Sequence, residues 1–144
     1  MEQIIESKSL LKNKELLSVL AESVYNPTED RLNNRADKYI SNQNTVVFSL
    51  KNNETYKGII VLDLSNIKEI IILDIAVLNS IQKSGVGSSL INHCINIFEP
   101  NEIIAETDDD AVGFYKKFGF NIQFLGNKYG VGIKRYKCTF KCKL

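Results

Sequence analysis

The feature that most constrains this chain is the nine-residue stretch Glu69–Val77, EIIILDIAV, apolar almost throughout and interrupted only by Asp74. A strand apolar on both faces belongs in the middle of a sheet that is covered on both sides. The residues after it say what does part of the covering. Val77-Leu-Asn-Ser-Ile-Gln82-Lys83-Ser84-Gly85-Val86-Gly87-Ser88-Ser89-Leu90 leads out of the strand through two glycines one residue apart. It then enters a helix, Gly85–Phe98, whose inner side carries Val86, Leu90, Ile91, Cys94 and Phe98. Pro100 marks its end.

Further elements flank this unit. Residues 2–7 suit a short first strand, and Leu16, Leu17, Leu20, Ala21 and Val24 give Lys14–Val24 a helical period. Asn26-Pro27, with Glu29 and Asp30 behind it, predicts the start of a second helix that runs to Ser41 and buries Leu32, Ala36 and Ile40. Thr45–Lys51 and Tyr56–Leu64 predict a hairpin about the turn-like Lys51–Glu54. Glu102–Thr107 reads as a short strand. Asp108–Asp110 then supply a cap and first-turn acids to a helix on which Ala111, Phe114, Tyr115 and Phe118 share a face, with Gly119 as its stop. Two strands, Phe120–Leu125 and Ile133–Lys141, complete the chain. The expectation is one α/β domain over residues 1–144, a mixed sheet of about seven strands flanked by about four helices.

Composition narrows the function. The 144 residues carry a net charge of +1, with no basic stripe ahead of the last strand, which argues against a nucleic-acid partner. The N-terminal MEQIIESKSLLKNK lacks the apolar stretch of a secretory signal, and no window reaches the roughly 18 apolar residues of a membrane span, so a cytoplasmic, membrane-free protein is expected. Cys138 and Cys142 are spaced C-x3-C. Strand alternation puts them on one face with Tyr136 and Phe140, which favours core thiols over metal ligands. Cys94 reads the same way, and no metal is expected. The lone His93, beside its helix's apolar stripe, reads as a solvated surface residue.

The glycine loop carries the chemistry. Glycine permits tight turns and close approach of a ligand to the main chain. The unpaired amides of a helix start, with the macrodipole behind them, favour an anion such as phosphate. A P-loop would need Lys-Ser or Lys-Thr after the glycines, and a dinucleotide fingerprint would need glycine where Leu90 stands, so both nucleotide motifs fail. An isolated G-x-G reads equally as strain relief. Here it is not isolated. Gln82-x-x-Gly85-x-Gly87 after Ile75-Ala76-Val77 resembles the Q/R-x-x-G-x-G/A signature of the GNAT acetyltransferase superfamily. Ala111-Val-Gly-Phe114-Tyr115-Lys-Lys-Phe118-Gly119-Phe120 resembles that family's A-x-x-F/L-Y-x-x-x-G-F helix. The two motifs span Leu73 to Phe120; over the first 65 residues only the element order matches.

The resemblance implies an acetyl-CoA-dependent enzyme. Main-chain groups of Ile75, Ala76 and Val77 would meet the pantetheine arm. Amides from Gln82 through Lys83, Ser84, Gly85, Val86 and Gly87 to Ser88 would hold the pyrophosphate, with Lys83 either adding charge there or simply solvated. Tyr115 would approach the CoA sulfur and protonate the departing thiolate, its other reading being a core aromatic. Asp108 stands where the family often has a cofactor-contacting asparagine, and a carboxylate there fits a helix cap better than a phosphate contact. Glu106, Asp74 and Glu69 are candidates for the general base, Glu106 first. The acceptor, a small-molecule amine or a peptide, would lie between the first two helices, around Tyr25–Arg31, and the Gly126–Gly132 turn, and Tyr25, Asp30 and Asp74 there would suit a small cationic amine. A homodimer built on the last strands is compatible with the sequence. The rival readings are a CoA-binding sensor or interaction module without catalysis, and an acetyltransferase of proteins.

Overall fold

The computed structural model describes residues 2–78, 85–127, 132 and 134–142. Seven strands form one sheet: β1 (Glu2–Glu6), β2 (Thr45–Asn52), β3 (Thr55–Asp63), β4 (Glu69–Val77), β5 (Glu102–Thr107), β6 (Asn121–Gly126) and β7 (Arg135–Lys141), in the spatial order β1-β2-β3-β4-β5-β7-β6. As expected, β4 is the middle strand. It runs antiparallel to β3 and parallel to β5, while β7 inserts between β5 and β6.

Helices cover both faces. On one lie α3 (Val86–Phe98) and α4 (Val112–Phe118), whose Val86, Leu90, Ile91, Cys94 and Tyr115 pack with Ile60, Leu62, Ile70, Ile72, Ile103 and Cys138 of the sheet. On the other lie α1 (Lys14–Leu20) and α2 (Glu29–Ser41). Leu16, Val19, Leu20 and Ala36 meet Val47, Ile59, Val61 and Ala76 there.

The apolar run of β4, broken by Asp74, is not explained by burial on both faces, because Ile71 and Leu73 are exposed; a change of facing within the strand accounts for part of it. Asp74 pairs with Val61 and Ile72 with Leu62, so Leu73 is an extra residue, a β-bulge. The bulge reverses which side chains face which layer. Ile70 and Ile72 enter the α3/α4 core, whereas beyond the bulge it is Ile75 and Val77 that pack there and Ala76 that turns to α1. Asp74 shares the parity of Ala76 and points to the α1/α2 layer.

Two boundaries differ from expectation. The helical period of Lys14–Val24 ends as α-helix at Leu20 and continues as a 3-10 turn, Ala21–Ser23. The second helix is capped not by Asn26, which sits at φ +50°, but by Thr28, whose hydroxyl accepts from the Arg31 amide. Its buried face is Leu32, Ala36 and Tyr39, and Ile40 is 39% exposed. Position 39 returns to within about 20° of position 32, while position 40 overshoots by about 80°.

Candidate active site

The site begins where β4 and β5 part. Their ladder runs from Glu69–Glu102 to Ile72–Ala105. Past that point β5 stays with β7 through Glu106–Lys137 and Thr107–Tyr136, and β4 stays with β3 through Val61–Asp74 to Gly58–Val77. The bulge at Leu73 thus opens a wedge in the sheet. Ile75, Ala76 and Val77 form its β4 side, and α3 begins at the end toward which that strand runs.

Of the loop residues expected to hold pyrophosphate, Gln82, Lys83 and Ser84 lie outside the described residues. Gly85 is exposed at the start of α3 with φ +90°, and a Cβ there would touch nothing within 4 Å. Backbone conformation alone explains this glycine. Gly87 has a different reason. It is buried, and a Cβ would stand 2.9 Å from two ring carbons of Phe114. Its missing side chain lets α3 lie against α4. Val86 is buried and Ser88 half-buried, which leaves main-chain amides at the helix start. Sequence reasoning passed over Gly58, where a Cβ would come within 2.5 Å of Val86 Cγ1. An isolated glycine inside a strand was the available signal.

Tyr115 is held by the way α4 ends. The Phe120 amide donates to the Tyr115 carbonyl at 3.0 Å and the Gly119 amide to that of Lys116 at 3.1 Å, with Gly119 at φ +120°. These are the two bonds of a Schellman motif, and its usual apolar contact is present as edge-on packing of the Tyr115 and Phe120 rings, 5.1 Å apart. The Gly-Phe that follows the tyrosine therefore positions it. Burial is the main cause that pushes the Tyr115 phenol above its usual range, followed by the Cys138 thiol, Asp74 and Asp108. The last two lie on β4 and just past β5, so the phenol senses both sides of the wedge.

Contrary to expectation, Asp108–Asp110 lie ahead of α4, whose N-cap is Ala111 and whose first turn holds no acid. The Asp108 carboxylate accepts from the amides of Asp110 and Ala111 and its carbonyl from Val112, closing the turn that leads into the helix. Tyr136 donates to Asp109 at 2.5 Å. Glu106, half-buried, takes a hydrogen bond and ion pair from Arg135 at 3.3 Å. Glu69 opens β4 at the end opposite the wedge, eight residues and roughly 26 Å from Val77, too far to serve as a base there.

Asp74 is buried and already engaged. Ser23 donates to it at 3.1 Å, Arg35 Nη1 at 2.9 and 3.2 Å, and the Tyr39 hydroxyl completes the set. Burial first, then Asp74, raises the Tyr39 phenol well above its ordinary range. Tyr25 is 89% exposed and contributes its carbonyl to Arg31 at 3.0 Å, and Asp30 is exposed in the first turn of α2. The surface depression here, about 450 Å³, is lined by Val24, Arg31, Asn34, Arg35, Lys38 and Tyr39. The region expected from the sequence, Tyr25–Arg31, reaches only Arg31 of its polar residues. The signal was the i, i+4 pair Arg35 and Tyr39 flanking the buried Ala36. His93 packs edge-on against Phe48, with centroids 4.9 Å apart, rather than standing in solvent.

Comparison with known proteins bears on the fold and the family. Residues 15–134 match the model of the acetyltransferase (GNAT) domain. No curated protein matches the sequence. Among solved structures, one assigned as an acetyltransferase of the GNAT family from Desulfovibrio desulfuricans superimposes with a TM-score of 0.81 at 16% identity, covering 99% of this chain and 100% of its own. An aminoglycoside 6'-N-acetyltransferase complexed with coenzyme A gives 0.79 at 15%, covering 99% and 98%. The ribosomal-protein-S18-alanine N-acetyltransferase of Escherichia coli gives 0.75 at 17%, covering 100% and 96%. At such identities the likeness is one of fold, while the family model spans most of the chain. This protein belongs to the GNAT acetyltransferase family.

Proposed function

We propose that the protein moves an acetyl group from acetyl-CoA to a primary amine by direct transfer within the wedge. The observation that carries the proposal is the convergence of three features: strands that part at Leu73, the start of α3 at Gly85, and a phenol, Tyr115, held by the Gly119-Phe120 turn. The pyrophosphate rests on the α3 amides, joined by those of residues 82–84, and the pantetheine follows Ile75–Val77. The amine nitrogen attacks the thioester carbon, the carbon–sulfur bond breaks, and Tyr115 gives its proton to the sulfur. Glu106 accepts the ammonium proton, directly or through a water, Arg135 holding it in place.

Direct transfer is supported by the state of the two buried cysteines. Burial pushes the Cys94 thiol up to about 12 and the Cys138 thiol up to about 11, so neither supplies a thiolate nucleophile at neutral pH. Cys94 and Cys138 are free thiols, as suits a reducing, cytoplasmic setting, and no described helix is long and apolar enough to cross a membrane.

The test is calorimetric titration with acetyl-CoA of the native protein and a Gly85→Asp variant, followed by a thiol-release assay over a panel of amines. Gly85 suits the probe because an added Cβ meets no described atom within 4 Å, so the substitution costs backbone strain at φ +90° but no packing clash. Micromolar binding weakened at least tenfold in the variant is expected. A folded native protein that binds no acetyl-CoA would overturn the proposal.

A further inference from the structure

The depression beside Asp74 has the opposite electrostatic character to the one a cationic amine would need. Its polar lining is Arg31, Asn34, Arg35, Lys38 and Tyr39, with Val24 as the apolar wall, and among the described residues it contains no carboxylate. The nearest negative charge, Asp74, is only 7% exposed and is taken up by Ser23, Arg35 and Tyr39. Three cations around one engaged carboxylate leave an excess of two positive charges. The other acids of α2 do not cancel it: Glu29 and Asp30 sit in the first turn outside the lining, and Asp37 is paired with Lys12 at 2.6 Å.

The cations differ in how they are held. Arg35 is fixed against Asp74, and Arg31 is tethered by one bond to the Tyr25 carbonyl, which leaves further guanidinium donors. Lys38 is exposed, with no side-chain partner among the described residues. Guanidinium and ammonium groups arranged around a concave surface are the chemistry that receives carboxylate or phosphate oxygens. The volume falls in the range of small-molecule sites. Asp74 follows the bulge at which β4 leaves β5, so the depression lies next to the wedge.

We infer that the acceptor is a small amine that also carries an anionic oxygen group, a carboxylate or a phosphate monoester, and that Arg31, Arg35 and Lys38 receive this group while the amine reaches the wedge. The inference deepens the acetyltransferase reading and rests on it.

The experiment uses matched acceptors that differ only in the anion: amino acids against their carboxamides, and phosphoethanolamine against ethanolamine. The native protein is compared with Arg31→Gln and Lys38→Gln, the first of which keeps a donor for the Tyr25 carbonyl. The anionic member of at least one pair is expected to have a kcat/KM at least tenfold higher. In the variants the advantage shrinks through KM with kcat held, and the responding pair separates carboxylate from phosphate. Neutral or cationic members that equal or exceed their anionic partners throughout would overturn the inference while leaving acetyl transfer intact. Calorimetry with the N-acetylated products gives a readout that needs no turnover. Binding of the anionic products alone, weakened in both variants, supports the inference, and equal binding of charged and neutral products overturns it. Failure of acetyl-CoA to bind would instead strike the underlying reading.

Discussion

Arg35 on α2 donates from a single guanidinium nitrogen to both carboxylate oxygens of Asp74 on β4, at 2.9 and 3.2 Å, across the seam between helix layer and sheet. Asp74 is buried, whereas the Arg35 side chain is 38% exposed, so the two ends of the pair respond differently to removal of the other. Arg35→Met leaves a buried carboxylate with two hydroxyl donors and is expected to cost about 3 kcal/mol. Asp74→Asn leaves a guanidinium that water can still reach, and about 2 kcal/mol is expected. Urea unfolding of both variants checks the order. Losses below 0.5 kcal/mol for both would show that the pair is not a structural anchor.

Gly85 and Gly87 are one residue apart and answer to different constraints, so alanine should affect them differently. At Gly85 alanine meets no atom and pays only for a left-handed backbone, about 1 kcal/mol. At Gly87 it strikes Phe114 and must displace that ring, which adjoins Tyr115, at a cost of about 1–3 kcal/mol. Phe114→Leu in the Gly87→Ala background is expected to recover part of the loss, while the same change beside Gly85→Ala recovers none. Thermal unfolding of the two double-mutant cycles decides it, and equal coupling in both would refute the packing account.

Much of this was legible in the sequence because local physics determined it. The apolar run Glu69–Val77, the glycines after it and the face Ala111, Phe114, Tyr115 and Phe118 carry their own periods and stops, and the elements stand where those signals put them. The bulge at Leu73 was not legible. EIIILDIAV has the same composition whether or not its facing reverses in the middle, and only pairing with β3 shows that it does. The insertion of β7 between β5 and β6 is equally non-local. The acceptor side was read from Tyr25 and two acids, Asp30 and Asp74, because no short-range signal says that Arg35 and Tyr39 will fold onto Asp74. The phase of α2, 39 rather than 40, was the one clue available.

Cys94 makes a prediction about alkaline pH. Its side chain is fully buried in α3, and burial raises its pKa from 9.0 to about 12. The unfolded chain therefore loses this proton between pH 9 and 12 while the native state keeps it. Stability is fully present below pH 9 and falls as pH rises through that window, by at most about 1.4 kcal/mol per pH unit for this group. Cys94→Ala should be less stable at pH 7, by about 1–2 kcal/mol for the cavity, and should show a shallower decline above pH 9. Guanidinium unfolding at a series of pH values tests this, and parallel curves for the two proteins would contradict it.

Tyr115 offers the sharpest separation of a catalytic from a packing role. Its ring packs edge-on against Phe114 and Phe120, contacts that phenylalanine retains, so Tyr115→Phe should leave thermal stability within about 0.5 kcal/mol of the native protein. Acetyl-CoA affinity should change less than twofold, because the proposed pyrophosphate contacts are main-chain amides. If the phenol protonates the leaving sulfur, kcat should fall by about 100-fold at saturating acceptor. Burial holds the phenol protonated beyond pH 10, so the native rate should show no loss of its acid between pH 7 and 10. The variant should be slower by the same factor across that range. A variant that keeps its kcat would make Tyr115 a core aromatic, and a native rate that falls below pH 10 only when the phenol is present would place its titration far lower than its burial allows.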